Sequence, residues 1–86
     1  MSKKEKLLFK AQNNPRGLKF DEFCNLLNYC GWVLDHQTGS HQIWYSPQKY
    51  RISIQNKKDQ AKKYQVKQFL TRYYEEGGLK GLDKFL

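Results

Sequence analysis

The sequence predicts a small α+β domain in which two helices flank a three-stranded antiparallel sheet. Two observations support this class. Apolar residues recur at helical spacing on both sides of the middle of the chain, and three alternating segments typical of strands lie between them. Two helices can cover one face of such a sheet, and we expect its opposite face to stay open as a binding surface.

The first of these helices has apolar residues three or four positions apart, at Phe20, Phe23, Leu27 and Cys30. This spacing places them on one face of an amphipathic helix. Gly31 follows as the expected C-terminal cap, because glycine readily adopts the left-handed conformation that ends many helices.

The strands are predicted from alternation and from a turn. Residues 32–36 and 41–45 alternate between apolar and polar side chains, and Gln37-Thr38-Gly39-Ser40 between them is typical of a tight turn. Pro47 closes the second strand, and residues 50–55 alternate as a third. The sequence therefore predicts a hairpin followed by one more strand.

The second helix follows a polar connection at residues 56–63 and has Val66, Phe69, Leu70 and Tyr73 on one face. A short helix is also predicted in the basic segment 2–12, which Pro15 and the residues around it end.

The length suits a single domain, 1–86, with a core at about 18–76, a basic N-terminal leader at 1–17 and a C-terminal tail at 77–86. The apolar residues of the tail could dock as a short terminal turn or stay mobile. The sequence has no apolar run long enough to span a membrane and no secretory signal, so we expect a cytoplasmic protein with no membrane partner.

The charge balance points to the kind of partner. Sixteen Lys and Arg against eight Asp and Glu give a net charge of +8. Such an excess on a short chain favours a polyanion or an acidic protein as partner, and charge alone does not separate the two.

One residue has the chemistry for proton transfer in a favourable setting. His41 begins the second predicted strand, directly after Gly39 and Ser40. An imidazole exchanges a proton near neutral pH, although a histidine in a strand more often serves packing or the surface. No cluster of Asp, Glu and His suggests a metal site, so we expect neither a metal nor another cofactor.

The pattern as a whole resembles the HicA toxin family of toxin–antitoxin systems. The residues that carry the resemblance, over roughly 18–74, are Gly39-Ser40-His41, Trp44, a third strand and Tyr64-Gln65-Val66-Lys67-Gln68-Phe69-Leu70. The resemblance implies a double-stranded-RNA-binding-domain-like fold, ribonuclease activity on messenger RNA with His41 as the catalytic position, and a HicB-like antitoxin that covers the active site. Many members carry a second histidine after the third strand, where this chain has Gln55-Asn56-Lys57, so no role of that histidine transfers.

The implied chemistry agrees with the residues present. RNA supplies its own nucleophile, the 2′-hydroxyl, and a single histidine that removes its proton can start attack on the adjacent phosphate without a metal. The leaving 5′-oxygen needs an acid, for which Lys57, Lys62 and water remain open.

The predicted RNA-binding residues are those of the turn and of the basic segment after the third strand: Gly39, Ser40, Lys57, Lys62, Lys63 and Lys67. Each lysine could instead belong to an ordinary solvated face, and the Ser40 hydroxyl could equally stabilise the turn. Trp44 and Tyr45 point to opposite faces, so that one belongs to the core and the other is free to stack on a base. His36 lies on the first strand and could sit near the phosphate path, although a surface or packing role is the simpler interpretation. A non-catalytic RNA-binding module and a protein-interaction domain remain the alternatives.

Overall fold

In the computed structural model, residues 2–77 are described. They confirm the predicted α+β class and the order of its elements. The elements are α1 (Lys3–Asn13), a 3₁₀ helix (Pro15–Gly17), α2 (Phe20–Tyr29), β1 (Val33–Thr38), β2 (His41–Tyr45), β3 (Arg51–Gln55) and α3 (Lys63–Glu75). None of the helices in this part of the chain is long and apolar enough to cross a bilayer.

The sheet has the strand order β1-β2-β3, with both pairs antiparallel. Side chains alternate between its two faces, so that Trp44, Ile52 and Ile54 lie in the core beneath the helices. Successive rows of the other face are formed by Val33, Tyr45 and Arg51, by His36, Ile43 and Ser53, and by Thr38, His41 and Gln55. We call this second surface the open face. Of the nine residues in these rows, Ile43 alone is buried.

The core is centred on the aromatic ring of Phe69 in α3, which is completely buried. Its centroid lies 5.8 Å from that of Phe23, 5.2 Å from that of Trp32 and 5.6 Å from that of Tyr73. Helix α1 also contributes, since Leu8 belongs to the same cluster. The leader segment therefore packs on the domain and shares its core.

The hairpin turn is shorter than the sequence pattern indicated. β1 continues to Thr38, which pairs with His41, so only Gly39 and Ser40 connect the strands. Gly39 has a φ of +60°, a conformation in which a side chain would be strained. The prediction that Gln37 and Thr38 belong to the turn was wrong, because the ladder of backbone hydrogen bonds reaches them.

A partly buried ion pair fixes the end of α3 against the loop between β2 and β3. The side chain of Glu76 is 8% exposed, and its Oε2 accepts hydrogen bonds from Ser46 Oγ at 2.6 Å and Arg72 Nε at 2.8 Å. The predicted apolar tail after Gly77 lies outside the described residues.

Candidate active site and nucleic-acid interface

His41 lies at the first position of β2, in the central strand of the sheet. Its neighbours across the sheet are Thr38 in β1 and Gln55 in β3, and its side chain is exposed on the open face. A phosphodiester can therefore approach the imidazole from solvent. Because β2 is paired on both sides, the backbone that carries His41 is held in place.

The turn before His41 is tied to the end of β3. The Ser40 carbonyl accepts a hydrogen bond from the Asn56 N–H at 3.0 Å, and Ser40 Oγ accepts one from Gln55 Nε2 at 3.5 Å. The Gln55 N–H in turn donates to Oε1 of the buried Gln65 in α3 at 2.9 Å. A continuous set of hydrogen bonds thus joins the turn to the first turn of α3.

A basic groove lies at this same end of the sheet. It is open to solvent, has a volume of about 540 Å³, and is lined by Lys57, Gln60, Ala61, Lys62, Lys63, Tyr64 and Lys67. The structure therefore brings together all four lysines that the sequence predicted to bind RNA. Lys57 follows directly after Asn56, whose N–H bonds to Ser40, so the groove continues from the turn that precedes His41.

The loop that forms one wall of the groove is firmly anchored. Lys57 and Gln60 exchange two backbone hydrogen bonds, at 3.2 and 2.9 Å, and Asn56 Oδ1 accepts from the Asp59 N–H at 2.8 Å. The Ala61 N–H donates to the Leu18 carbonyl at 3.0 Å. These bonds fix the loop to the segment that enters α2, so the position of Lys57 is set before any ligand binds.

Like charges converge at the groove. Lys67, and after it Arg16, lowers the pKa of Lys63, because a nearby positive charge disfavours a second one. The first turn of α3 also contains no acidic residue, although negative charge is what stabilises a helix N-terminus. A bound anion would relieve both unfavourable features at once.

Two residues of this region were missed by the sequence interpretation. Tyr64 is 64% exposed and lines the groove among the lysines. It was named only within the segment that carries the family resemblance, although an aromatic residue between basic ones is a signal for stacking on bases. Arg16 was assigned to a helix end, and only the fold brings its charge near Lys63.

The structure decides which of Trp44 and Tyr45 belongs to the core and whether His36 is a surface or a packing residue. Trp44 is the core residue, with 2% exposure and its Nε1–H donating to Gln42 Oε1 at 2.9 Å. Tyr45 lies half-buried on the open face, in the row of Val33 and Arg51. His36 also lies on the open face, with 55% of its side chain exposed, so it has a surface position and no packing role.

The two cysteines do not add a nucleophile to the site. Burial raises the pKa of Cys24 to about 11 and raises the pKa of Cys30 as well. A protonated, half-buried thiol is a weak nucleophile. Within residues 2–77 no three His, Cys, Asp or Glu side chains come together as metal ligands would.

The chain matches a model of a known protein family. The family model described as the HicA toxin of bacterial toxin–antitoxin systems matches residues 20–73, which is more than half of the chain and contains α2, the whole sheet and most of α3. Searches of curated proteins and of solved structures gave no significant match.

Proposed function

Because the chain belongs to the HicA toxin family of bacterial toxin–antitoxin systems, we propose that it is a metal-independent endoribonuclease that cuts messenger RNA with His41 as a catalytic residue. The family is in general one of ribonuclease toxins. The observation that carries the proposal is the exposed His41 on the paired central strand, at the end of the sheet where the groove of four lysines begins.

The groove supports RNA as the substrate. Lys57, Lys62, Lys63 and Lys67 hold the phosphate backbone, which positions the strand without reading its sequence. Tyr64 offers an exposed ring for one unpaired base. The strand then passes the turn at Ser40, which leads one phosphodiester onto the open face at His41.

Chemistry at that phosphodiester begins with the 2′-hydroxyl. The imidazole of His41 removes its proton, the resulting oxygen attacks the adjacent phosphorus, and the bond from phosphorus to O5′ breaks. The products are a 2′,3′-cyclic phosphate and, once an acid has protonated the leaving oxygen, a 5′-hydroxyl. DNA lacks this hydroxyl and is not cut by this route. Both reacting groups are supplied by RNA and by the chain, so the scheme needs no metal ion.

Such an enzyme also needs an inhibitor, and we propose a HicB-like antitoxin that covers the open face. The toxin has a charge of +8, so an acidic antitoxin would associate rapidly through complementary charge. The partner would then shield His41 and the lysines from RNA in a single complex.

Growth of a bacterial host tests the proposal. Expression of the wild-type chain alone should arrest growth, whereas His41→Ala should be tolerated at equal levels of folded protein. Co-expression of a HicB-like antitoxin should restore growth to cells that carry the wild type. Arrest by both forms, or harmless expression of the folded wild type, would contradict a catalytic His41.

A further inference from the structure

An irregularity in β1 brings a second histidine to the open face. Leu34 pairs with Trp44, but the next residue of β2, Ile43, is paired with His36, so Asp35 is an extra residue in the strand. This is a β-bulge, in which two residues of one strand oppose one residue of its partner. Strict alternation from Val33 would have placed His36 on the helix-covered face, and the bulge places it on the opposite one.

The bulge also sets the distance between the two histidines. Ile43, which faces His36, is two residues along β2 from His41 and lies on the same face. His36 and His41 are therefore diagonal neighbours across an antiparallel pair, a relation in which the residues lie about 7–8 Å apart. One phosphodiester fits between two imidazoles at that spacing, with each ring reaching one of its reacting oxygens.

Asp35 holds the ring of His36. Its Oδ2 lies 2.6 Å from His36 Nδ1, and since an ionised carboxylate only accepts hydrogen bonds, Nδ1 is the donor. This contact leaves Nε2 directed away from the carboxylate and available for proton transfer. Carboxylates orient catalytic imidazoles in this way in many enzymes, by fixing the tautomer and the ring plane.

We propose that His36 is the general acid of the cleavage reaction and that Asp35 positions it, an inference that rests on the proposed function. His41 takes the proton of the 2′-hydroxyl, the bond from O2′ to phosphorus forms, and the bond from phosphorus to O5′ breaks. The doubly protonated His36 gives its Nε2 proton to O5′, which leaves as a 5′-hydroxyl. His41 ends protonated and His36 neutral, so charge and protons balance.

This assignment replaces the lysines as candidates for the acid. Lys57 and Lys62 line the groove beyond the turn, where they serve the phosphates of the strand. An imidazole also exchanges its proton near neutral pH, whereas an ammonium group ordinarily does so about four pH units higher. His36 is therefore matched to the task both in position and in chemistry.

The test uses a leaving group that needs no acid. The bond that the wild type cuts in a messenger transcript is placed in a short oligoribonucleotide, synthesised with either the natural 5′-oxygen or a 5′-bridging sulfur. A thiolate departs without protonation. His36→Ala and His36→Gln should therefore slow cleavage of the oxygen substrate by about 10²–10⁴-fold and cut the sulfur substrate nearly as fast as the wild type.

Three comparisons make the result specific. His41→Ala should be slow on both substrates, because a better leaving group does not replace the base that removes the proton of the 2′-hydroxyl. Asp35→Ala should lose part of the rate on the oxygen substrate and regain it on the sulfur substrate. Val33→Ala, on the same strand and the same face, should match the wild type on both.

Equal losses on the two substrates for both His36 variants would overturn the assignment, and so would an undiminished rate on the oxygen substrate. If the sulfur substrate restored the rate of His41→Ala but not the rates of the His36 variants, the two roles would be reversed. That result would also refute the assignment. Failure of the wild type to cut either substrate would instead overturn the proposed function, and with it the assignment of His36 as the general acid.

Discussion

Salt dependence of RNA binding measures how many of the groove lysines contact phosphate. If Lys57, Lys62, Lys63 and Lys67 each neutralise one phosphate of a single strand, the slope of log K against log salt is about −0.7 for each of them, or about −2.8 in total. A rise from about 50 to about 200 mM salt should then weaken binding about 50-fold. Removal of one lysine leaves three contacts, and the same rise should weaken binding only about 20-fold.

The assay is binding of His41→Ala protein to a fluorescent oligoribonucleotide, since this variant leaves the RNA intact during titration. Lys67→Ala is the informative change, because Lys67 is exposed on α3 and lines the groove. Lys6→Ala is the matched control, because it removes the same charge from α1, away from the groove. Helix α1 lies near the far end of α3, since Nζ of Lys4, two residues before Lys6, is 5.8 Å from the ring centroid of Tyr73. Equal slopes for Lys67→Ala and Lys6→Ala would refute the groove as the RNA site, and a flat titration of the parent protein would favour a protein-interaction domain.

Three further changes test the stacking residue, the ion pair and the core. Tyr64→Ala should weaken RNA binding by about 1–3 kcal/mol with an unchanged salt slope, whereas Tyr64→Phe, which keeps the ring, should bind like the parent; equal losses would argue against stacking. Burial alone would raise the pKa of Glu76, but hydrogen bonds from Ser46, Arg72 and the Gln48 N–H outweigh it and lower that pKa. The ionised carboxylate therefore stabilises the fold above the ordinary Glu pKa of about 4.3 and loses this effect as the pH falls through its lowered value. Glu76→Gln should cost about 1.5–3 kcal/mol at neutral pH, by urea unfolding, and the difference from the wild type should shrink in acid; a constant difference would contradict the ion pair. Phe69→Ala should cost about 3–5 kcal/mol, seen by the fluorescence of the buried tryptophans, while Phe9→Ala, at a residue 59% exposed, should cost little; similar costs would contradict the assigned core.

The sequence predicted the elements of the fold because each rests on a local pattern. The helical spacing around Phe23 and Phe69 and the alternation on either side of Gly39 are short-range signals, and the structure confirms the helices and strands that they indicate. The roles of His41 and of the lysines remain predictions. Their proximity to one another depends on the packing of α3 against β3, which no local pattern encodes.

The bulge at Asp35 could not be predicted from the same patterns. Alternation read from Val33 gives His36 the wrong face, because a bulge depends on how a strand pairs with its neighbour and not on its own residues. The hydrogen bond from Ser46 to Glu76 is likewise a long-range contact, because the two residues are thirty positions apart in the sequence. A histidine next to an aspartate in an edge strand was the available signal for the proposed acid.

The most direct test of the central claim is cleavage of a messenger transcript by purified protein in EDTA, with the wild type beside His41→Ala. We expect the wild type to cut and to leave 2′,3′-cyclic phosphate or 3′-phosphate ends with 5′-hydroxyl ends. His41→Ala should bind the transcript equally well and cut it slower by about 10²-fold or more. Equal cutting by the two proteins, cutting that requires Mg²⁺, or products with 5′-phosphate ends would contradict the account.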